Sequence, residues 1–270
     1  MVTSAGLSAH TAPAARSASI SGVTGMFNRQ FEAGHSQNLP GVLETITGSS
    51  NNVSTTPTTP TTKTLPLKRT PLPPIQPPAE EGRETEIKEL LQTCPDWNFN
   101  VIELERLTDN KCLAHLGMSV FLRFQLHKTL GCSESVLQNW LTVIEANYKR
   151  TNSYHNSTHA ADVLHASAFF LEQDTIKDMC DGVDEAICLI AAVIHDVDHP
   201  GKNSAFLCNS GSELANLYND ITVLENHHAA LGFRLTMSDE RVNIFQNLDR
   251  DSYKLMRQGI IDLVLATGKN

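Results

Sequence analysis

Tyr154-His155-Asn156-Ser157-Thr158-His159-Ala160-Ala161-Asp162 opens, and His195-Asp196-Val197-Asp198-His199-Pro200 closes, the stretch on which this chain turns. Seven of the 11 histidines lie between His155 and His228. Histidine and carboxylate together are the ligand set for divalent metals such as Zn²⁺ and Mg²⁺. His155 precedes His159 by four residues, so the two share a helix face if a helix starts near His155. Residues 186–193 read Ala-Ile-Cys-Leu-Ile-Ala-Ala-Val, an apolar helix that delivers His195 and Asp196 at its C-terminal end, followed by Asp198 and His199. Charged and polar groups placed directly after a buried helix are costly unless something binds them. A lone His-x-x-x-His has a bland reading, a capped helix end with two partly exposed histidines. Joined to His-Asp-x-Asp-His it points to a metal-dependent hydrolytic site.

Outward from this stretch the periodicity is helical. Leu113, Leu116, Val120, Phe121 and Phe124 recur at three- and four-residue spacing, as do Val136, Trp140, Val143, Ile144 and Tyr148. A short amphipathic helix is predicted over 86–91, and Trp97, Phe99, Val101, Ile102 and Leu104 suggest an aromatic-anchored start to the fold. Val223 to Leu235 and Leu255 to Leu265 are the last amphipathic helices. Ser210 with Glu213, and Thr222 with Glu225, have capping-box spacing, so a capping role and a site role weigh equally for Glu225. Of the adjacent His227 and His228, at most one can face a site on a helix. No alternating strand pattern of useful length occurs, and the fold class is all-α, a multi-helix bundle.

Composition sets the domain plan. The 270 residues carry a net charge of −9. Residues 1–82 hold five Lys/Arg and four Asp/Glu, a net of +1, which leaves −10 for residues 83–270. An acidic domain is a poor candidate for gripping nucleic acid, which calls for clustered positive charge. Ten of the 12 prolines and 22 Ser/Thr fall in residues 1–82, a segment that buries too little apolar surface to order itself and reads as a disordered tether. The six cysteines form no C-x-x-C pair and sit in apolar patterns, which favours buried reduced thiols and a cytoplasmic protein. No run is long and apolar enough to span a membrane, and no secretory signal is evident.

The motifs carry a resemblance. Tyr154-His155-Asn156-x-x-His159-Ala160-x-Asp162-Val163 together with His195-Asp196-Val197-Asp198-His199-Pro200-Gly201 resembles the class I cyclic-nucleotide phosphodiesterases of the HD hydrolase superfamily. The flanking Val143-Ile144-Glu145-Ala146-Asn147-Tyr148 and Ala161-Asp162-Val163-Leu164-His165-Ala166-Ser167 are most similar to the type 8, cAMP-selective members. The resemblance covers about Cys94 to Thr267. It implies an HD-type catalytic domain and hydrolysis of cAMP to 5′-AMP with two divalent metals, Zn²⁺ and Mg²⁺, with Mn²⁺ as an alternative. His159, His195 and Asp196 would bind the first metal, and Asp196 would reach the second. His155 would be the general acid that protonates the departing 3′ oxygen. His199 and Glu225 would orient metal-bound waters, and Tyr154 and His155 would contact the substrate.

Two departures from the family pattern bear on activity. Ser204 stands where the family usually has Asn or Gln, which weakens a hydrogen bond to the site's waters. After Ala266-Thr267 the family continues with an acidic residue and a methionine, where this chain has Gly268, Lys269 and Asn270. The expectation is a partial catalytic domain without the third subdomain, and with it without the last metal-ligand aspartate, the purine-reading glutamine and the aromatic clamp. These 270 residues should then hydrolyse cAMP poorly or not at all. The alternative reading is a non-catalytic fragment that binds partners, or itself, through exposed helices and regulates the full-length enzyme. An HD-type phosphohydrolase acting on nucleoside triphosphates is a third reading, disfavoured by the Tyr-His-Asn segment.

Overall fold

The computed structural model describes residues 80–268; the expected tail lies, up to residue 79, outside the described residues. Among the described residues all regular structure is helical. In chain order the helices are α1 (Glu80–Gln92), α2 (Val101–Leu107), α3 (Cys112–Arg123), α4 (Leu126–Thr129), α5 (Glu134–Ala146), α6 (Ser157–Leu171), α7 (Asp174–Lys177), α8 (Gly182–Ile194), α9 (Ser204–Asn209), α10 (Glu213–Leu217), α11 (Val223–Thr236) and α12 (Arg250–Ala266).

Helix α8 is the axis of the bundle. Ala186 to Ile194 are buried without interruption, as befits a helix that is apolar all round. It starts in a capping box, with the Asp181 carboxylate accepting from Val183 and Asp184 N–H and the Asp184 side chain accepting from Asp181 N–H. Helices α6 and α12 pack along it, and α3, α4, α5 and α11 complete the surround. Two glycines permit close approach. A Cβ on Gly232 of α11 would lie 2.8 Å from Ile194 Cδ1, and one on Gly259 of α12 would lie 2.8 Å from Ile187 Cδ1.

Helix α5 is tied to its neighbours by polar contacts in a dry setting. Trp140 Nε1 donates to Thr236 Oγ1 at 2.7 Å, joining α5 to α11. Glu145 Oε1 accepts from Leu113 N–H at 2.9 Å and Ala114 N–H at 3.4 Å, capping the start of α3 from another helix. Burial pushes the Glu145 carboxyl up to about 7, against the opposing pull of those two N–H groups and of Arg150 and Lys111.

Several sequence expectations shift. The first helix begins at Glu80, six residues before the predicted turn. Trp97 and Ile102 are 51% and 67% exposed, so the aromatic anchor is carried by Phe99, with Trp97 lying on the Phe169 and Phe170 rings outside the core. Neither predicted capping box forms. Ser212, not Ser210, caps α10 by accepting from Ala215 N–H. Thr222 precedes α11 in the left-handed region with φ 45°, not in the extended conformation of a capping residue, and makes no side-chain cap.

Candidate metal centre

The centre forms where α8 ends. His195 caps the helix, and its Nδ1 lies 2.9 Å from Ala192 O. A carbonyl oxygen only accepts, so the proton is on Nδ1 and the lone pair of Nε2 faces outward. This is the usual arrangement of a metal-ligating histidine, whose other ring nitrogen donates to a carbonyl. Across from it, Asn156 caps α6 by accepting from Thr158 and His159 N–H, which places His159 in the first helical turn.

Three donor atoms converge. His195 Nε2 lies 3.3 Å from His159 Nε2 and 3.2 Å from Asp196 Oδ2, and His159 Nε2 lies 3.5 Å from the same oxygen. Ligands at ~2.0–2.2 Å in a tetrahedral arrangement stand about 3.3–3.5 Å apart, so the edges of this triangle fit one zinc-sized ion. Burial works against the Asp196 carboxylate, yet His195 first, then His228 and His159, hold it well below the usual carboxylate range. A second cluster shares the same carboxylate, with ligand atoms of Asp196, His199 and His228 within 4.8 Å of one another.

His228 was not singled out from its sequence. Its Nδ1 donates to Val197 O at 2.7 Å, which leaves a lone pair on Nε2. That buried Nε2 has no hydrogen-bond partner among the described residues and stands 3.6 Å from Asp196 Oδ1, too far to bond it. An orphaned acceptor facing a carboxylate suits a site built around a cation or its water. Burial pushes the His228 imidazole down to about 3, so it stays neutral. His227 turns the other way and meets Asp198 Oδ2 at 2.8 Å.

His155 is not on the helix: α6 begins at Ser157, and His155 sits in the turn before it, its ring edge-on to His159 at 6.0 Å. It stacks on His199 instead, with ring centres 4.0 Å apart. His199 Nδ1 accepts from Gly201 N–H at 3.0 Å, so the neutral ring carries its proton on Nε2. Burial, then the neighbouring His155, pushes His199 down to about 4. Asn152 joins the two motifs, its Nδ2 donating to His155 O at 2.9 Å and to His199 O at 2.8 Å. Tyr154 packs against the His155 and His159 rings and is 42% exposed at the mouth. Glu225 lies in the first turn of α11, and burial, then the charge of Asp196, raises its carboxyl above its ordinary value.

A bundle of helices with histidine and aspartate converging at the end of its buried central helix defines the class, an all-α protein with the ligand set of a metal-dependent hydrolase. Residues 154–269 match the family of 3′5′-cyclic nucleotide phosphodiesterases. The chain is 58% identical over 171 residues to a human protein named High affinity cAMP-specific and IBMX-insensitive 3′,5′-cyclic phosphodiesterase 8A, covering 63% of this chain and 21% of that protein. A Drosophila melanogaster protein named as a phosphodiesterase 8 of the same description is 54% identical over 192 residues, covering 70% of this chain and 21% of that one. The chain thus spans about a fifth of the length of these curated relatives. Among solved structures, the phosphodiesterase domain of the RhoPDE fusion protein from the choanoflagellate Salpingoeca rosetta is similar at a TM-score of 0.59 and 33% identity, over 66% of this chain and 55% of that one.

Proposed function

We propose that the helical part, from α1 to residue 270, is the metal-holding part of a cytoplasmic 3′,5′-cyclic-nucleotide phosphodiesterase that converts cAMP to 5′-AMP in cyclic-nucleotide signalling, with the tether expected over 1–82 ending where α1 begins at Glu80. The observation that carries the reading is the triangle of His159 Nε2, His195 Nε2 and Asp196 Oδ2, with edges of 3.2–3.5 Å. The relatives' names, cAMP-specific at 54–58% identity, support the substrate. His159, His195 and Asp196 would hold Zn²⁺, and Asp196 would also help hold Mg²⁺ or Mn²⁺. Such ions polarise phosphoryl oxygens and make water a better nucleophile at neutral pH.

The chain's own residues supply the rest. A water oxygen bonds to phosphorus as the bond from phosphorus to the 3′ oxygen breaks; the water gives up one proton to solvent, and His155, protonated beforehand and beside Tyr154, gives its proton to that departing oxygen and regains one from solvent. Asn152 fixes the backbone of His155 relative to His199. His199, neutral with N–H on Nε2, donates to a water or phosphoryl oxygen, and Glu225 accepts from a water. Tyr154 lines the pocket.

The reading includes slow turnover by these 270 residues alone, through weaker positioning of the nucleotide. Good positioning supplies ~7–11 kcal/mol of barrier reduction. Losing about 3 kcal/mol of it slows the reaction by more than roughly a hundredfold. The test is 5′-AMP formation from cAMP with Mg²⁺ and Zn²⁺ by the 270-residue chain beside a version extended with the following segment of the human relative. Turnover by the extended chain, at least a hundredfold above the short one and abolished by His155→Ala, is expected. No turnover by either sinks the enzyme reading. The second reading, a non-catalytic fragment that associates with itself or a partner, draws on the exposed Phe206, Leu217 and Ile221 around α9 and α10.

A further inference from the structure

The segment that follows α5, residues 147–149, runs beside the corner 193–198 that ends α8, and three consecutive residues bond to it. Asn147 O accepts from Asp198 N–H at 3.1 Å. Tyr148 Oη donates to Val193 O at 2.9 Å and is approached by Asp196 N–H at 3.4 Å. Lys149 Nζ pairs with Asp198 Oδ1 at 2.9 Å and reaches Asp198 O at 3.4 Å. Tyr148 is buried, so its hydroxyl is a fixed post and not a solvated group. The corner it meets needs holding. Asp198 has φ 60°, in the left-handed region that a non-glycine residue enters at a cost, and Lys149 and His227 grip the two oxygens of its carboxylate.

From these contacts we infer that residues 147–149 are a positioning strap, and that Tyr148 and Lys149 set the spacing of His195 and Asp196 for metal binding. The inference rests on the metal-site reading above. Neither residue is among the donors of the proposed metal site. Tyr148 orders the backbone on both sides of His195, at Val193 and at Asp196. Lys149 holds the strained Asp198 two residues beyond the Asp196 carboxylate. Ligand spacing is what a three-donor site selects on, and lost supporting partners of metal ligands typically cost ~10–100-fold in metal affinity.

The test measures Zn²⁺ affinity of the 270-residue chain by competition with a chelator, with the melting temperature of the metal-free protein as the second readout. Tyr148→Phe keeps the ring and removes the hydroxyl. Trp140→Phe is the control, since it removes a buried hydrogen bond from the same helical arm but bonds Thr236, away from the corner. Both substitutions should lower the melting temperature. Only Tyr148→Phe should weaken zinc binding, by tenfold or more, and Lys149→Met should weaken it while Lys149→Arg restores it. Equal zinc affinity in Tyr148→Phe and Trp140→Phe would reduce the strap to an ordinary packing contact and overturn the inference. If His195→Ala binds zinc as tightly as the unsubstituted chain, the metal-site reading itself falls, an outcome distinct from a failure of the strap alone.

Discussion

Glu145 shows how one buried carboxyl makes a helix junction sensitive to pH. In the unfolded chain it ionises near its ordinary value of 4.5, and in the folded chain burial moves it to about 7. Between those values the folded state keeps a proton that the unfolded state has released. Stability from this group is therefore complete below about pH 4.5 and is lost as pH rises toward 7. A shift of this size corresponds to about 3 kcal/mol across the window. Glu145→Gln has nothing to ionise, yet its amide oxygen can still accept from Leu113 and Ala114 N–H. The stability of the glutamine variant relative to the parent should therefore rise by about 3 kcal/mol between pH 4.5 and 7, as read by urea denaturation. Parallel pH curves for the two would refute the assignment. At this scale the sequence is most readable where spacing is local: His195 and Asp196 are neighbours at the end of an apolar run, and His159 follows the Asn156 cap by three. It is least readable where a choice depends on the direction of a helix face. Of His227 and His228 it is His228 that turns toward Asp196, and helical periodicity does not choose between adjacent positions.

At the scale of elements, the site depends on how closely α11 and α12 approach α8. Gly232 gauges the α8–α11 approach, because a methyl there would meet Cδ1, Cβ and Cγ2 of Ile194 at 2.8, 3.2 and 3.4 Å. Ile194 is β-branched, buried and immediately precedes His195, so it has little room to yield. Alanine in a helix interior ordinarily gains about 1 kcal/mol over glycine. Overpacking a filled core costs about 1–3 kcal/mol. Gly232→Ala should come out net destabilising, by up to about 2 kcal/mol, in a denaturant titration, and a gain in stability would show that the α8–α11 contact is looser than it looks. The helices themselves were legible from periodicity: the two apolar runs predicted after residue 220 fall within α11 and α12, and residues 186–193 fall within α8. What periodicity missed were places where a side chain serves another element. Trp97 reads as a core aromatic but lies on the outside of α6, and His155, which would share a face with His159 only in a helix starting near it, belongs to the turn that Asn152 clamps to His199.

For the molecule as a whole, the proposed metal donors come from two helices that are distant in sequence and adjacent in space, α6 for His159 and the end of α8 for His195 and Asp196. Binding an ion there links the two only in the folded chain, so metal should add to stability in proportion to its affinity. An ion at a hundred times its dissociation constant would contribute about 2.7 kcal/mol. The family motifs made this legible early, because Tyr-His-Asn and His-Asp-x-Asp-His are long and carry their chemistry in order. The measurement that bears most directly on the account is zinc content by elemental analysis of the purified 270-residue chain, paired with its melting temperature before and after chelation. The account predicts bound zinc in the parent, a lower melting temperature once it is removed, and loss of both zinc and that shift in His159→Ala and in Asp196→Ala. Variants that retain as much zinc as the parent, with the same response to the chelator, would contradict the assignment of His159, His195 and Asp196 as the metal site.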